Sequence, residues 1–417
     1  MKNTDSSELL TPVITRSQGI GGKIKSYSED FIVCEIIENN IKLDPREEEF
    51  ELPGKPGLFL HLVLIKKDID TSDALDWIAK LWKLDRNDIS IAGSKDKKAL
   101  TAQRVCIWGL RERFDRGELE RIDLPTIKTL SLNLKLKGIR LGDLWGNAFD
   151  ISIREISKSL EETRDQIEKL FEEVKELGGV QNGFGIQRFG ELRPITHHVG
   201  KKLVQGDFKQ ALRLYLGKVF EGESEEIQRA RKSFWENENC NEALELFPSF
   251  LSIERKILRL LLKNRMNYKQ VFFALPQQFR KLFVHAYQAQ LFNKYLTIRW
   301  DEHSQNLQES ITGEKIQNNR IYAPIIGRKT VLTGDVQRIY EGILNDERID
   351  FSIFQNPEIQ KIGGVGTFRS ISFLPRNLHI KSIEQDDANI SKTKAEISFE
   401  IQKGSYATEL LREITKN

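Results

Sequence analysis

The amino-acid sequence predicts an α+β protein built from two domains. Residues 130–136 alternate apolar and polar side chains, which is typical of a half-buried strand, and residues 397–401 are expected to form another strand. A stripe of apolar side chains runs through residues 157–177 and predicts an amphipathic helix that Gly178 and Gly179 end. A chain of 417 residues is too long for one ordinary core, so we expect a second domain.

The composition excludes several classes of protein. Hydrophobic residues make up 39% and charged residues 30%, as in a soluble globular chain, and no apolar run approaches the roughly 20 residues that span a bilayer. The first residues lack the apolar core of a signal peptide, and residues 1–18 read as a loosely held polar lead-in. Three widely spaced cysteines fit a reducing cytoplasm. The net charge of +3 leaves nucleic-acid binding open, because only a local basic face decides it.

The first half of the chain predicts a compact α/β unit that ends in a charged loop. Residues 58–65 form an apolar run of strand length. Thr71 is expected to cap a helix over about 72–83, whose apolar residues fall on one face. A short apolar run follows at 89–91 and another at 104–108, so residues 92–103 are expected to form a loop between two strands.

The loop carries one carboxylate, Asp96, among the amines of Lys95, Lys97 and Lys98. Nearby cations favour the charged form of an acid, so we expect Asp96 to be ionised at neutral pH. Gly93 is expected to let the backbone turn. A solvated, charged turn without any function is the alternative interpretation of this string of residues.

Two other patterns in the sequence could suggest a cofactor site or a metal site, and we reject both. The glycines at 21 and 22 complete neither a dinucleotide-binding nor a P-loop spacing. His197 and His198 are adjacent, so their side chains should diverge, and no acidic or cysteine ligand stands at a suitable spacing. We therefore predict that the protein needs no cofactor and binds no metal.

Several blocks of the chain resemble one family in the order in which they occur. Gly93-Ser-Lys-Asp96, followed by Ala99, Thr101 and Gln103, resembles the signature loop of the TruD family of tRNA pseudouridine synthases. The other matching blocks lie at 25–31, 146–149, 180–190, 286–293 and 403–413. Departures are small: Ser28, Gly183 and Ala289 stand where many relatives carry proline, tyrosine and serine. The resemblance covers nearly the whole chain and is weakest in the middle of the insert.

The resemblance implies roles for particular side chains. Asp96 is the catalytic residue, and Phe149 stacks on the target uracil, although a strand phenylalanine is more often a core residue. Lys25 lies near the carboxylate and keeps it charged. The remaining candidates for binding or positioning the nucleotide are Asn147, Arg188, Lys95 and Gln187.

The resemblance also implies the arrangement of domains. A pseudouridine synthase-type catalytic domain, with a mostly antiparallel sheet flanked by helices, occupies residues 1–182 and 386–417. An α/β TRUD domain, residues 183–385, is inserted into it. Basic residues of the insert could line an RNA face: Arg193, Lys201, Lys202, Lys209 and Arg213.

The implied function is isomerisation of a uridine in tRNA, at position 13, in the cytoplasm, with tRNA as the partner and no membrane involvement. No protein partner is indicated. Two alternatives remain at this point. One is an RNA-binding or RNA-folding module without catalysis, against which the intact Asp96 and Phe149 speak. The other is a different base-modifying enzyme, such as a glycosylase, which would need a second acid beside Asp96.

Overall fold

The structure is a computed structural model, and it describes residues 9–303 and 305–416. Up to residue 181 the strands and helices are β1 (Phe31–Ile36), β2 (Lys42–Leu43), β3 (Phe59–Lys67), α1 (Thr71–Trp82), β4 (Ile89–Ile91), β5 (Leu100–Ile107), α2 (Arg111–Asp115), β6 (Ile127–Lys135), β7 (Gly146–Ile156), α3 (Leu160–Glu176) and β8 (Val180–Gln181). The middle of the chain contains α4 (Thr196–Val204), α5 (Phe208–Gly217), α6 (Glu225–Asn237), α7 (Cys240–Leu246), α8 (Ser252–Lys263), α9 (Tyr268–Phe273) and α10 (Gln277–Glu302). The remaining elements are β9 (Lys315–Gln317), β10 (Arg320–Ile325), α11 (Gly334–Glu347), α12 (Pro357–Ile362), β11 (Thr367–Ser370), β12 (Ser372–Phe373), β13 (Arg376–Gln385), β14 (Thr393–Gln402) and α13 (Ala407–Thr415).

The chain divides into two compact units. The sheet unit comprises Thr15–Gly179 and the described residues from Phe373 onward. The helical unit comprises the described residues up to Ile14 and Val180–Ser372. These limits differ from the expected ones at three places. Strand β13 lies in the sheet unit because it pairs with β14 along its length. Residues 9–14 and residues 180–182 lie with the helical unit.

The sheet unit is built on one large sheet. Its strand order is β13-β14-β7-β1-β5-β3-β6, with β2 on β1 and β4 on β5. Among the described strand pairs of this sheet only β1 and β5 run parallel. All six residues of β1 are buried, as expected for a central strand. The predicted α+β class, with a mostly antiparallel sheet flanked by helices, is confirmed.

Helices α1 and α3 show how capping residues in the sequence determine where a helix begins. Helix α1 packs its apolar face on β3 and β5. It is capped by Asp70, whose carboxylate accepts from the Ser72 amide over 2.8 Å, and not by Thr71 as predicted. Helix α3 begins after Ser159, which forms a capping box with Glu162.

The lead-in is more firmly held than the sequence predicts. Residues 1–8 lie outside the described part of the chain. Within the helical unit, Leu9 is buried and its carbonyl accepts a hydrogen bond from the Asn293 side chain over 2.7 Å. Within the sheet unit, the Thr15 amide donates to the Glu413 carboxylate over 3.0 Å. The expectation of a loose segment was wrong for these residues, because both apolar burial and buried hydrogen bonds fix them.

The helical unit combines a helical cluster with a small sheet. Helix α10 is 26 residues long and presents buried side chains from Phe283 to Trp300. Strands β11, β10 and β9 form an antiparallel three-stranded sheet. No helix in the described ranges is long and apolar enough to cross a membrane.

Candidate active site

Asp96 lies in the loop between β4 and β5, and its carboxylate is paired with one cation. Lys25 Nζ donates to Asp96 Oδ1 over 2.8 Å. The Asp96 side chain remains 38% exposed, so the paired carboxylate is still accessible. Lys25 also lies over the Phe31 ring, with Nζ 4.2 Å from the ring centroid. The backbone of Lys25 is left-handed, with φ of 58°, which is an uncommon conformation for a residue other than glycine.

Side chains from α1 and β3 hold the backbone on both sides of Asp96. The Thr71 hydroxyl accepts from the Lys95 amide over 3.0 Å and donates to the Lys95 carbonyl over 3.2 Å. Lys66 Nζ donates to the Asp96 carbonyl and, over 3.0 Å, to the Ile69 carbonyl. Burial lowers the pKa of Lys66 to about 8, although the Asp96 and Asp70 carboxylates oppose this shift. The loop is therefore fixed by its backbone, which leaves the Asp96 carboxylate available.

Lys95 is a buried structural cation in this structure. Its ammonium donates to Glu35 Oε2 over 2.7 Å, and the two side chains are only 3% and 0% exposed. The other Glu35 oxygen accepts from the Arg104 amide over 3.1 Å. A buried ion pair needs such additional hydrogen bonds to offset its desolvation. Lys95 thus anchors the loop to β1 and is not presented to solvent.

Phe149 is packed in an aromatic row on β7. Its side chain is 6% exposed. The Phe399 ring stacks on it at a centroid distance of 5.2 Å and an interplanar angle of 16°, while Phe31 contacts it edge-on at 6.0 Å. Because Lys25 contacts both Phe31 and Asp96, an unbroken series of contacts links the carboxylate to Phe149.

Asn147 lies two residues before Phe149 in β7 and therefore faces the same side of the sheet. It stands opposite Glu35 in the β1–β7 pairing. Its side-chain oxygen Oδ1 is buried and has no hydrogen-bond partner among the described residues. Buried acceptors are rarely left unpaired, so this oxygen is an exception among the buried polar atoms.

The structure brings five of the seven predicted site residues into the sheet unit: Asp96, Lys25, Lys95, Asn147 and Phe149. Gln187 and Arg188 lie in the helical unit, in the short turn Ile186–Arg188. There the Arg188 guanidinium carbon lies 5.3 Å from the centroid of the Phe184 ring. In the described part of the chain no group of three or more histidine, cysteine, aspartate or glutamate side chains could hold a metal.

The sequence analysis missed Glu35, Lys66 and Thr71 as members of the site. For two of them, the sequence contains a pattern that could have drawn attention to the residue. Glu35 interrupts the apolar run of β1, and Lys66 extends the apolar run of β3, so each is a charge within a buried strand. Charged groups in such positions require a partner. The signal indicates that a partner exists but does not identify it.

The fold and the site define an α+β protein with an accessible carboxylate beside a row of aromatic rings. Comparison with known proteins gives the family. The model of the family tRNA pseudouridine synthase D (TruD) matches residues 10–322 and 315–414. The chain therefore belongs to the TruD family, which confirms the resemblance seen in its sequence.

Individual relatives match over nearly their whole length. A "Probable tRNA pseudouridine synthase D" from Methanosarcina acetivorans is 35% identical, over 96% of this chain and 94% of the relative. One of the same name from Methanococcus vannielii is 34% identical, over 97% of each chain. A crystal structure from Methanosarcina mazei, assigned to TruD, superposes with a TM-score of 0.79 at 30% identity, over 100% of this chain and 99% of the other.

Proposed function

We propose that the protein converts a uridine of tRNA, at position 13, to pseudouridine in the cytoplasm, with Asp96 as its single catalytic carboxylate. The observation that carries this proposal is the Asp96 carboxylate itself. It is accessible, it is held 2.8 Å from the Lys25 ammonium, and its loop is fixed through the backbone. Membership of the TruD family supports the assignment of substrate and reaction.

The reaction is an isomerisation, and one carboxylate is enough for it. The bond from ribose C1′ to uracil N1 breaks, the base turns, and C1′ rejoins the base through C5. The C5 proton is lost and N1 gains a proton, so atoms and electrons balance without a redox partner. Asp96 acts as a nucleophile or as a base in this sequence. Lys25 stabilises the negative charge on Asp96 and orients it.

The aromatic row provides the apolar wall that a detached uracil needs. The target uridine must leave the RNA stack to reach Asp96. Phe149, supported from behind by Phe399, is then the surface against which the base lies. The free Oδ1 of Asn147 accepts a hydrogen bond from a uracil N–H group.

The remaining predicted residues are assigned as positioning and RNA-binding groups. Lys95 positions the Asp96 loop through its buried pair with Glu35. Arg188 and Gln187 contact the RNA from the helical unit, because a guanidinium beside an aromatic ring suits phosphate and base together.

The contacts of Glu35 argue against a glycosylase. Glu35 belongs to the Asp96 network, but it is fully buried and occupied by Lys95 and the Arg104 amide, so it cannot serve as a second acid.

The test is to treat unmodified tRNA with the purified protein and to map pseudouridine along the product. We expect one modified uridine, at position 13, and no free uracil. Release of free uracil would favour a glycosylase. Tight tRNA binding without any pseudouridine would favour the RNA-binding module, and both results would contradict the proposal.

A further inference from the structure

A cavity of about 770 Å³ lies in the sheet unit on the face of the large sheet opposite to Asp96. Gln103 of β5 donates to the Gly93 carbonyl over 3.1 Å and so faces the Asp96 loop. Arg104 is the next residue of the strand and lines the cavity, and successive strand side chains point to opposite faces. The cavity is therefore separate from the site described above, and Asp96, Lys25 and Phe149 take no part in its lining.

The floor of the cavity contains two buried side chains, His61 and Arg104, and one nitrogen of each has no hydrogen-bond partner among the described residues. His61 is 4% and Arg104 is 3% exposed. The His61 Nε2 atom lies 2.8 Å from the Lys137 carbonyl oxygen. A carbonyl only accepts, so Nε2 carries the hydrogen and Nδ1 is an acceptor.

Neither His61 Nδ1 nor Arg104 Nε has a partner in the described ranges of the chain. The terminal guanidinium nitrogens of Arg104 are occupied by the Glu38 carboxylate and the Asp143 carbonyl. Burial lowers the pKa of His61 to about 4, so the ring is neutral at neutral pH. Unpaired buried groups are rare, and a ligand is one physical reason for them. The floor thus offers one acceptor and one donor, the pattern that the edge of a nucleobase requires.

The lining of the cavity carries more basic than acidic side chains, since only Glu38 and Asp143 among its residues are acidic. Four lysines line the rim of the cavity, and none of them forms an ion pair with a carboxylate in the part of the chain that the structure describes: Lys55, Lys135, Lys137 and Lys403. Two of these ammonium groups donate to backbone carbonyls: Lys403 Nζ to that of Gly142 over 2.6 Å, and Lys135 Nζ to those of Leu52 and Gly54, over 3.4 Å for Gly54. Such unpaired ammonium groups at the mouth of a cavity favour an anionic ligand.

The wall includes one aromatic side chain. Trp145 lines the cavity, and the Arg376 guanidinium carbon lies 4.3 Å from the centroid of its ring. An indole wall suits a flat ring. The volume lies within the range of about 300–1,000 Å³ found for small-molecule sites.

We propose that this cavity binds one nucleotide, with its phosphate at the lysine rim, its base along Trp145, and the base edge at His61 and Arg104. The nucleotide can belong to an RNA strand or be a free nucleoside monophosphate, since both present the same chemistry. The proposal goes beyond the reaction at Asp96 and does not depend on it.

The test compares two double variants of the full chain. Lys55→Gln with Lys137→Gln removes two rim charges, and both residues are exposed, so the fold is preserved. Lys169→Gln with Lys175→Gln removes two exposed charges from α3 and is the matched control. Binding of UMP and AMP is measured by calorimetry, and binding of unmodified tRNA by filter binding.

We expect the rim variant to weaken binding by about tenfold, from the loss of two phosphate contacts, and the control to stay within about twofold. Loss of UMP or AMP binding identifies a free nucleotide as the ligand. A loss seen with tRNA alone identifies an RNA nucleotide. If the parent binds neither mononucleotide and the two variants bind tRNA equally, the proposal is overturned.

Two single variants complete the test. Trp145→Leu keeps every charge and should also weaken nucleotide binding, which a purely electrostatic surface would not show. Asp96→Asn should leave binding at the cavity unchanged. Unchanged nucleotide binding with no pseudouridine formation in any preparation would therefore reject the proposed function and retain the cavity as a site.

Discussion

Phe149 has one ring face covered by Phe399 and an edge in contact with Phe31. Truncation to alanine would therefore remove core packing, at a cost of about 3–5 kcal/mol, together with any stack on the uracil. Phe149→Leu keeps most of the apolar volume and separates the two effects. We predict that Phe149→Leu folds, that its turnover falls by more than its affinity for tRNA, and that the lost stacking is worth about 1–3 kcal/mol. The measurements are kcat, the Kd for tRNA and the melting temperature. Parental turnover would show that Phe149 is a core residue only.

Lys66 gives a second prediction at this scale, on the pH dependence of stability. Its pKa of about 8 in the folded protein lies below its ordinary value. Between about pH 8 and about pH 10 the unfolded chain therefore binds more protons at this group, and the free energy of unfolding contributed by Lys66 rises with pH. We expect the difference in unfolding free energy between the parent and Lys66→Met to rise by up to about 1.4 kcal/mol per pH unit. Denaturant titrations at several pH values measure it. A flat difference would mean that Lys66 stays protonated in both states.

At the scale of elements, Gly93 and Gly146 both lie in motifs that match the family, but only one of the two positions requires glycine for steric reasons. Gly93 is not left-handed, and a Cβ atom added to it would meet nothing within 4 Å. We expected the conformational freedom of Gly93 to let the backbone turn, but its φ lies outside the left-handed region, where other residues are also allowed. A Cβ atom on Gly146, at the start of β7, would instead overlap the Ile401 carbonyl oxygen of β14.

We predict that Gly93→Ala keeps or slightly raises the free energy of unfolding, by up to about 1 kcal/mol, through the entropy of the unfolded chain. Gly146→Ala should lower it, because β7 and β14 must separate. Thermal unfolding of both variants tests the pair. If Gly93→Ala folds normally but loses turnover, the open space beside Gly93 belongs to the substrate.

The sequence predicts elements well where their evidence is local. The helical stripe at 157–177 and the alternation at 130–136 correspond to α3 and β6, because periodicity reports which side chains are buried. The Asp96 loop was identified from its own residues. The side chains that hold this loop in place were not identified from the sequence. The partners of Lys95 lie 24 residues away at Thr71 and 60 residues away at Glu35. Nothing in the local pattern specifies such pairings.

At the scale of the whole molecule, the chain belongs to one family over nearly all of its length, and the proposed reaction only rearranges bonds within its substrate. We therefore predict full activity without any added cofactor and in the presence of a chelator. The assay uses tRNA that was folded beforehand and is kept in monovalent salt, so that the chelator acts on the protein alone. Loss of turnover that added magnesium or zinc restores would contradict this expectation.

The central claim is that the Asp96 carboxylate performs the chemistry. Asp96→Asn keeps the size of the side chain and removes its charge. The exposed pair with Lys25 contributes little stability, at most about 1 kcal/mol, so the variant should fold. It should bind tRNA as well as the parent or slightly better, because a negative charge is lost near the RNA. Asp73→Asn, an exposed carboxylate of α1, is the matched control.

The measurement is pseudouridine formed in unmodified tRNA by the parent, Asp96→Asn and Asp73→Asn, with circular dichroism and a binding curve from each preparation. The account predicts that Asp96→Asn is folded, binds tRNA and forms no product, while Asp73→Asn behaves as the parent does. Turnover by a folded Asp96→Asn variant at a rate close to the parental rate would contradict the account.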